Sequence, residues 1–194
     1  MKIARSSIVL LLVQLALVSS IAAKYLYERH HCPRVWTRVR AIDSTLPMRG
    51  RYLSLNLIVD GCRSTLPSAK LAASEHDTHA AVLPHSHYVV RGPHSISFPV
   101  HLKVENNTLL ALWPEGEPRM PADLSATANT DTPCSELVLD QPVDYFIGDV
   151  AQSPLPLKSG QELWIEVTVP PAGPPRPLQL ALKENNIWKP LELK

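Results

Sequence analysis

The first 23 residues constrain this chain more than any other segment. Two basic residues, Lys2 and Arg5, precede an uncharged and almost wholly apolar run over residues 8–23. A basic start followed by an apolar run of this kind is typical of an export signal. The segment therefore predicts that most of the chain lies outside the cytoplasm.

This segment has two interpretations. Ser20-Ile21-Ala22 supplies the small residues that a signal peptidase needs, which would make it a cleaved signal peptide. Alternatively it is an uncleaved anchor that reaches Tyr27, because Lys24 can extend to the headgroups and tyrosines suit a membrane interface. Residues 7–27 then provide the roughly 20 residues that cross a bilayer. The second interpretation is preferred, with a signal anchor helix over 1–27 and an exported β-rich domain over 28–194.

The composition limits the classes of partner. The formal net charge is +1, and no basic stripe interleaved with aromatic residues is present, so there is no electrostatic case for nucleic acid. The chain has 19 prolines and only 7 glycines. Prolines in short clusters suit strands with rigid connections and oppose long helices. The expected partners are the membrane and a multi-pass membrane protein, and no cofactor is expected.

Short runs of alternating apolar and polar residues follow the anchor. Val35, Thr37 and Val39 share one face of the first run, and leucines at 53, 55 and 57 share one face of the second. This period of two predicts half-buried strands. Asn-Asn pairs at 106–107 and 185–186 predict tight turns between strands. Eight or nine such strands without long helices predict a mainly β fold, an antiparallel sandwich or small barrel after one transmembrane helix.

Other segments lack this alternation. Residues 63–84 and 114–133 are predicted to be long loops, because they are polar or rich in Pro, Thr and Ala. Residues 143–151 are predicted to form a helical turn, since Tyr145, Phe146 and Val150 are spaced for one helix face. Cys62 and Cys134 are the preferred disulfide pair in an oxidising compartment, with three free thiols as the alternative.

The stretch Gly50-Arg51-Tyr52-Leu53-Ser54-Leu55-Asn56-Leu57 resembles the signature of the GDYXXLXY family of membrane-anchored bacterial proteins. Gly50, Tyr52 and Leu55 match, whereas Arg51 replaces the aspartate and Leu57 the second tyrosine. The resemblance implies an anchored, exported β domain without an assigned activity. These motif residues have either a structural role, with Tyr52 starting a core strand, or a binding role for Arg51 and Tyr52.

Histidines are the most promising catalytic or metal-binding residues in the sequence. If this segment is extended, His85 and His87 lie on the same face, because side chains two residues apart align in a strand. The two imidazoles could then serve as zinc or copper ligands. The alternative is a polar loop with solvated histidines. Ser68 and Lys70 form a weaker candidate pair for nucleophilic catalysis, because a surface loop would not desolvate them. No catalytic residue is assigned.

These features together predict a non-catalytic interaction or accessory module on an exported, membrane-anchored domain. The alternative function is an exported metal-dependent or hydrolytic enzyme that uses the histidine-containing segment. The enzyme hypothesis is favoured if the histidines meet a carboxylate in one pocket, and it fails if they are scattered over the surface. The histidines concerned are His85, His87, His94 and His101.

Overall fold

A computed structural model describes residues 5–42, 52–63, 89–92, 95–113, 124–129, 132–148 and 153–192. Its first element is a single long helix, α1 (Arg5–His31). Apolar side chains are exposed around the helix from Ile8 to Tyr27, and the segment Ser7–His31 is long and apolar enough to cross a membrane. A helix that is apolar on all sides does not pack like a surface helix of a soluble domain, which has one polar face.

The helix ends four residues later than the 1–27 anchor predicted from the sequence. It continues through Glu28 to His31, and the backbone N–H of Cys32 still donates to the carbonyl of Glu28 at 3.0 Å. Pro33 follows, which cannot extend a helix because it lacks an N–H and its ring clashes with the preceding turn. The connection between helix and first strand is therefore only Cys32 and Pro33.

Eleven strands follow the helix in the described residues. Their bounds are β1 (Arg34–Ile42), β2 (Tyr52–Val59), β3 (Val89–Gly92), β4 (Ser95–Glu105), β5 (Thr108–Leu112), β6 (Leu124–Asn129), β7 (Leu137–Leu139), β8 (Val143–Phe146), β9 (Gln161–Thr168), β10 (Arg176–Glu184) and β11 (Ile187–Leu191). The fold is thus mainly β, as the alternating runs predict.

The strands pair antiparallel in the order β11-β10-β9-β1-β2-β7-β6-β4-β3, with β5 on β4 and β8 on β2. Strand β2 links two halves of the sheet, one that runs from β11 to β1 and one that runs from β7 to β3. It pairs with β1 and β8 nearer its start and with β7 at its end. Among the described strands the sheet does not close, since β11 and β3 lie at its two ends. The described strands form a sandwich-like β domain and not a closed barrel.

The core lies between the two halves of the sheet and is built from the alternating positions. Val35, Leu55, Ile165 and Leu180 are all at most 1% exposed. Along β2 the predicted leucine face is buried, whereas Ser54 and Asn56 are partly exposed. Tyr52 is on this second face and is 46% exposed, so the motif tyrosine starts the strand without entering the core.

Both Asn-Asn pairs form the predicted tight turns. All four asparagines have positive φ, between 49° and 65°, and connect β4 to β5 and β10 to β11. Positive φ at both central positions is the geometry that matches the twist of a two-residue hairpin, and asparagine tolerates it better than most residues. Local turn chemistry therefore sets the register of these hairpins.

Two predictions of local structure were wrong. Residues 124–129, placed in a loop over 114–133, form β6, whose inward residues Ala126 and Ala128 are too small to produce a strong alternating pattern. Residues 143–146, predicted as a helical turn, form β8 because Val143 and Tyr145 fill the core while Phe146 stays outside. Cross-strand pairing with β2 overrides the helical spacing there. Residues 64–84 lie outside the described residues.

Strand β11 forms one end of the sheet and contains a proline. In a two-residue hairpin the pair flanking the turn, here Glu184 and Ile187, is hydrogen-bonded, and bonded and non-bonded pairs then alternate. Pro190 lies opposite Ala181, in a non-bonded pair. Its nitrogen therefore faces the free edge, and β10 loses no hydrogen bond.

Candidate functional site

The end of α1 is fastened to strand β10. Glu28 is only 7% exposed, and its carboxylate accepts a hydrogen bond from Nε of Arg176 at 3.2 Å. The guanidinium of Arg176 also lies over the ring of Tyr25, 4.3 Å from its centroid. A buried carboxylate is stable only when it is paired and hydrogen-bonded, so these contacts hold the last helical turns against the domain.

A second contact reinforces this junction. The guanidinium of Arg34, the first residue of β1, donates to the backbone carbonyl of Arg29 at 2.9 Å. The last turn of a helix leaves carbonyls without helical donors, and a cation is favourable at that end of the helix dipole. The helix axis is thus tied to both β1 and β10. We call these contacts of Tyr25, Glu28, Arg34 and Arg176 the helix brace.

Three of the four tryptophans in the chain cluster on the outer side of strands β1, β9 and β11. Trp188 is central, with its ring centroid 5.6 Å from that of Trp36 and 5.0 Å from that of Trp164, both edge to face. Lys183 lies over the rings of Trp164 and Trp188. We call this surface, defined by Trp36, Trp164, Trp188 and Lys183, the tryptophan face.

The backbone register explains how the tryptophan face forms. Trp164 lies opposite Arg38 on β1 and opposite Ala181 on β10. Ala181 is only 1% exposed, and its small side chain leaves room between strands β9 and β11 for two indole rings to meet. The rings are consequently held by contacts on several strands.

Charged groups beside the tryptophan face pair with one another. Arg38 makes ion pairs with Glu136 and with Glu162, and the indole N–H of Trp164 donates to Glu162 at 3.0 Å. The hydrogen bond to Glu136 is the main cause that raises the pKa of Arg38 above its ordinary value, so the guanidinium stays charged. This network orients Trp164 and leaves the aromatic surface as the main feature available for contact.

A groove lies between the helix end and the outer strands. It has a volume of about 600 Å³ and is lined by Arg29, His30, Arg34, Tyr145, Glu166 and Glu192, together with less polar parts of β10 and β11. Burial raises the pKa of Tyr145 above its ordinary value, so its hydroxyl remains a neutral hydrogen-bond donor at physiological pH. The groove therefore offers cations, carboxylates and a hydroxyl to one ligand.

A carboxylate on the other half of the sandwich is fully engaged in structure. Asp140 accepts hydrogen bonds from the hydroxyls of Ser97, Ser125 and Thr127 on strands β4 and β6. Its backbone N–H donates to the carbonyl of Ser125 at 2.8 Å. The three hydroxyl donors satisfy this carboxylate, and the cluster joins β4, β6 and the end of β7.

The structure brings together some of the residues singled out from the sequence. Cys62 and Cys134 form a disulfide that encloses the segment between β2 and β7, and Cys32 is a free thiol. Leu55 is fully buried, and Tyr52 packs edge to face on Phe146 with centroids 5.4 Å apart. This exposed aromatic pair includes the motif residue Tyr52, whereas Gly50 and Arg51 of the motif are outside the described residues.

The histidine hypothesis concerns mostly residues that are not described. His85, His87 and His94, like Ser68 and Lys70, are outside the described residues, whereas His101 is exposed on β4. In the described part of the chain, no group of three His, Cys, Asp or Glu side chains is arranged to hold a metal ion.

Sequence reasoning missed the tryptophan face and the groove. A signal for the tryptophan face was present, because Trp36 and Trp164 occupy otherwise polar positions of alternating strands, where a large apolar residue gains nothing from the core. Trp188 gave no such signal, since its neighbours on β11 alternate weakly. The groove and helix brace depend on contacts between residues 148 positions apart, such as Glu28 and Arg176.

Comparisons of the chain with protein-family models, with curated proteins and with solved structures found no match. No matching sequence therefore bears on the resemblance of Gly50, Tyr52 and Leu55 to the GDYXXLXY family, which stays a hypothesis. The features that point outward from the fold are the apolar helix, its brace to the domain, the tryptophan face and the groove.

Proposed function

We propose that this chain is an exported interaction module, anchored in the cytoplasmic membrane by α1 and accessory to a multi-pass membrane protein. It is a non-catalytic protein of the kind that the GDYXXLXY resemblance implies. The observation that carries the proposal is the tryptophan face, which lies on β1, the strand that follows α1, and on β9 and β11. Tryptophans in fixed positions at a protein surface are the residues that most often dominate binding energy.

The position of the tryptophan face suits a partner in the same membrane. Strand β1 begins at Arg34, directly after the helix and its short connection, and Trp36 is two residues further along. Strands advance about 3.3 Å per residue, so Trp36 is about 7 Å beyond the start of β1. Trp164 lies opposite Arg38, which is about 13 Å beyond the same point. The extramembrane loops of a neighbouring membrane protein are within reach of such a surface.

The tryptophan face is also prepared for binding. Trp188 is 43% exposed, yet its ring is held against two other indoles and under Lys183. A surface whose side chains are already ordered loses less conformational entropy on binding. Since Arg38 and Glu162 neutralise each other, a partner need not desolvate an unpaired charge at this position. Among the described residues, no group of three His, Cys, Asp or Glu side chains supports the alternative of a metal-dependent enzyme.

Anchoring and topology are tested first on the intact chain. We expect the full chain to remain in membranes after carbonate washing, with an intact N-terminus by mass spectrometry. A reporter that is active only outside the cytoplasm should work when fused after Lys194. A mature N-terminus near Ala23, or activity of a cytosol-only reporter at the same position, would refute the anchor or its orientation.

The interaction is tested with a photo-crosslinking amino acid in membranes. We expect position 188 to give a discrete crosslinked species with a membrane protein. Position 187 is the matched control, since Ile187 is 61% exposed on the same strand but points to the opposite side of the sheet. Equal crosslinking at both positions, or none at 188 in a chain that folds and stays in membranes, would contradict the proposal.

A further inference from the structure

The groove at the helix end lies at the depth of lipid headgroups if α1 spans the membrane. About 20 residues cross the hydrocarbon core, so a span that starts at Ser7 leaves the core near Tyr27. Glu28, Arg29 and His30 then occupy the headgroup layer, which adds roughly 5–7 Å on each side of the core. Arg34 follows the two-residue connection, so the groove opens where headgroups are most concentrated.

Cations and carboxylates line the groove without neutralising one another. Arg29 and Arg34 approach from the helix end and the start of β1, whereas Glu166 and Glu192 come from β9 and the end of β11. Among the described residues, no ion pair within 4.0 Å joins either arginine to either glutamate. In the helix brace, by contrast, the opposite charges do form an ion pair, because Nε of Arg176 lies 3.2 Å from Oε2 of Glu28.

We infer that this groove binds the zwitterionic phosphoethanolamine headgroup of a membrane lipid, with the phosphate at Arg29 and Arg34 and the ammonium at Glu166 and Glu192. Guanidinium groups suit phosphate because their N–H donors can bind two oxygens at once. A primary ammonium has three N–H donors, which two carboxylates can accept. The inference rests on the proposed anchoring of α1 in the membrane.

The mixed charge also defines which headgroups the groove rejects. Phosphatidylglycerol has a phosphate without a cation, so its binding would leave two carboxylates unpaired beside an anion. Phosphatidylcholine has a cation without N–H donors, so it cannot hydrogen-bond to Glu166 or Glu192. The volume of about 600 Å³ is within the usual range for small-ligand sites and admits one headgroup.

The test measures which lipid stays with the full chain. The chain is reconstituted in vesicles with equal amounts of phosphatidylethanolamine, phosphatidylglycerol and phosphatidylcholine, extracted in mild detergent, and its retained lipids are quantified by mass spectrometry. We expect at least tenfold enrichment of phosphatidylethanolamine over each of the others. Equal retention of the three lipids, or a preference for phosphatidylglycerol, would overturn the inference.

Variants identify the groups that select the headgroup. Combined Glu166→Gln and Glu192→Gln changes should abolish the preference for phosphatidylethanolamine and raise retention of phosphatidylglycerol. Combined Arg29→Gln and Arg34→Gln changes should remove retained phospholipid. Arg40→Gln and Glu184→Gln are matched controls, because they change the same residue types on β1 and β10 outside the groove lining. Loss of selectivity in these controls as well would contradict the assignment to the groove.

Failure of the anchor and failure of the groove give different results. Carbonate washing and the mass of the N-terminus are measured on the same preparations. A chain cleaved near Ala23 or extracted by carbonate would refute anchoring. A chain that stays in the membrane without selecting a lipid would refute the headgroup site alone.

Discussion

The Nε atom of Arg176 lies 3.2 Å from Oε2 of Glu28, so strand β10 holds a helical turn that precedes it by 148 positions in the chain. The carboxylate is almost inaccessible to water, whereas the guanidinium is about one-third exposed. This pair, with Tyr25 under the guanidinium, makes the end of α1 part of the domain's structure. The orientation of the domain therefore depends on the helix axis.

Loss of Arg176 should loosen this junction. In Arg176→Gln the carboxylate of Glu28 loses its hydrogen-bonded partner and retains only Lys24, whose Nζ is 3.8 Å away and largely exposed. A buried charge that is poorly compensated costs about 1–3 kcal/mol. Hydrogen exchange of residues 24–31 in the full chain should become faster, and Glu28→Gln in the same chain should recover part of the loss. Lys189→Gln is the control, since the Lys189 side chain is 65% exposed in its ion pair with Glu184, and such surface pairs contribute little. Unchanged exchange in Arg176→Gln would show that the brace does not hold the helix.

Truncation of Leu55 should destabilise the domain strongly. Leu55 is 0% exposed at the centre of the core, so Leu55→Ala should reduce the free energy of unfolding by about 2–5 kcal/mol. Ile187→Ala removes a similar side chain from an exposed position and should cost much less. Urea unfolding of the full chain in detergent compares the two. Equal losses would mean that the register of β2 is wrong.

The disulfide between Cys62 and Cys134 should be a major source of stability. The two cysteines are 72 positions apart. In the chain-entropy account, a cross-link over a loop of this length raises the free energy of the unfolded chain by roughly 4 kcal/mol. The double change Cys62→Ser and Cys134→Ser should lower the urea midpoint accordingly. Cys32→Ser, which removes the free thiol, should leave the midpoint nearly unchanged. A large loss from Cys32→Ser would contradict this pairing.

Stability should decline at alkaline pH in a manner that depends on Tyr145. Burial raises the pKa of this phenol in the folded state above the ordinary value of 10.0, so above that pH the unfolded chain loses its proton first. The stability that depends on the neutral Tyr145 phenol is therefore complete below pH 10 and is lost as the pH rises through the pKa of the folded state. Tyr145→Phe should flatten this part of the pH profile of unfolding. If the variant lost stability at alkaline pH to the same extent, the loss would arise from groups other than Tyr145.

The sequence predicted those elements that depend on local pattern. The first alternating run forms strand β1, as predicted, because Val35, Thr37 and Val39 alternate with large polar or aromatic residues. The Asn-Asn turns were predictable because their conformation depends on two residues alone. The helix was recognisable from its apolar run, but its last turn was not, since Glu28 is retained in the helix by a partner far away in the chain.

Elements whose signal arises from pairing were missed. Ala126 and Ala128 give β6 little hydrophobic contrast, and its outer hydroxyls become informative only beside Asp140. Strand β8 has helical spacing but is recruited by β2. For the candidate sites, single tryptophans on polar strand positions were visible, whereas their convergence around Trp188 and the mixed charge of the groove required the strand order.

The missing backbone donor of Pro190 acquires a different meaning on a membrane. If α1 anchors the domain in a membrane, as proposed, the copies stand at one height with one orientation, and two-dimensional confinement brings their sides together far more often than free diffusion would. An uninterrupted outer strand would let such copies fuse their sheets into a growing ribbon. Pro190 interrupts the row of donors on β11, so neighbouring copies can collide at high surface density and separate again.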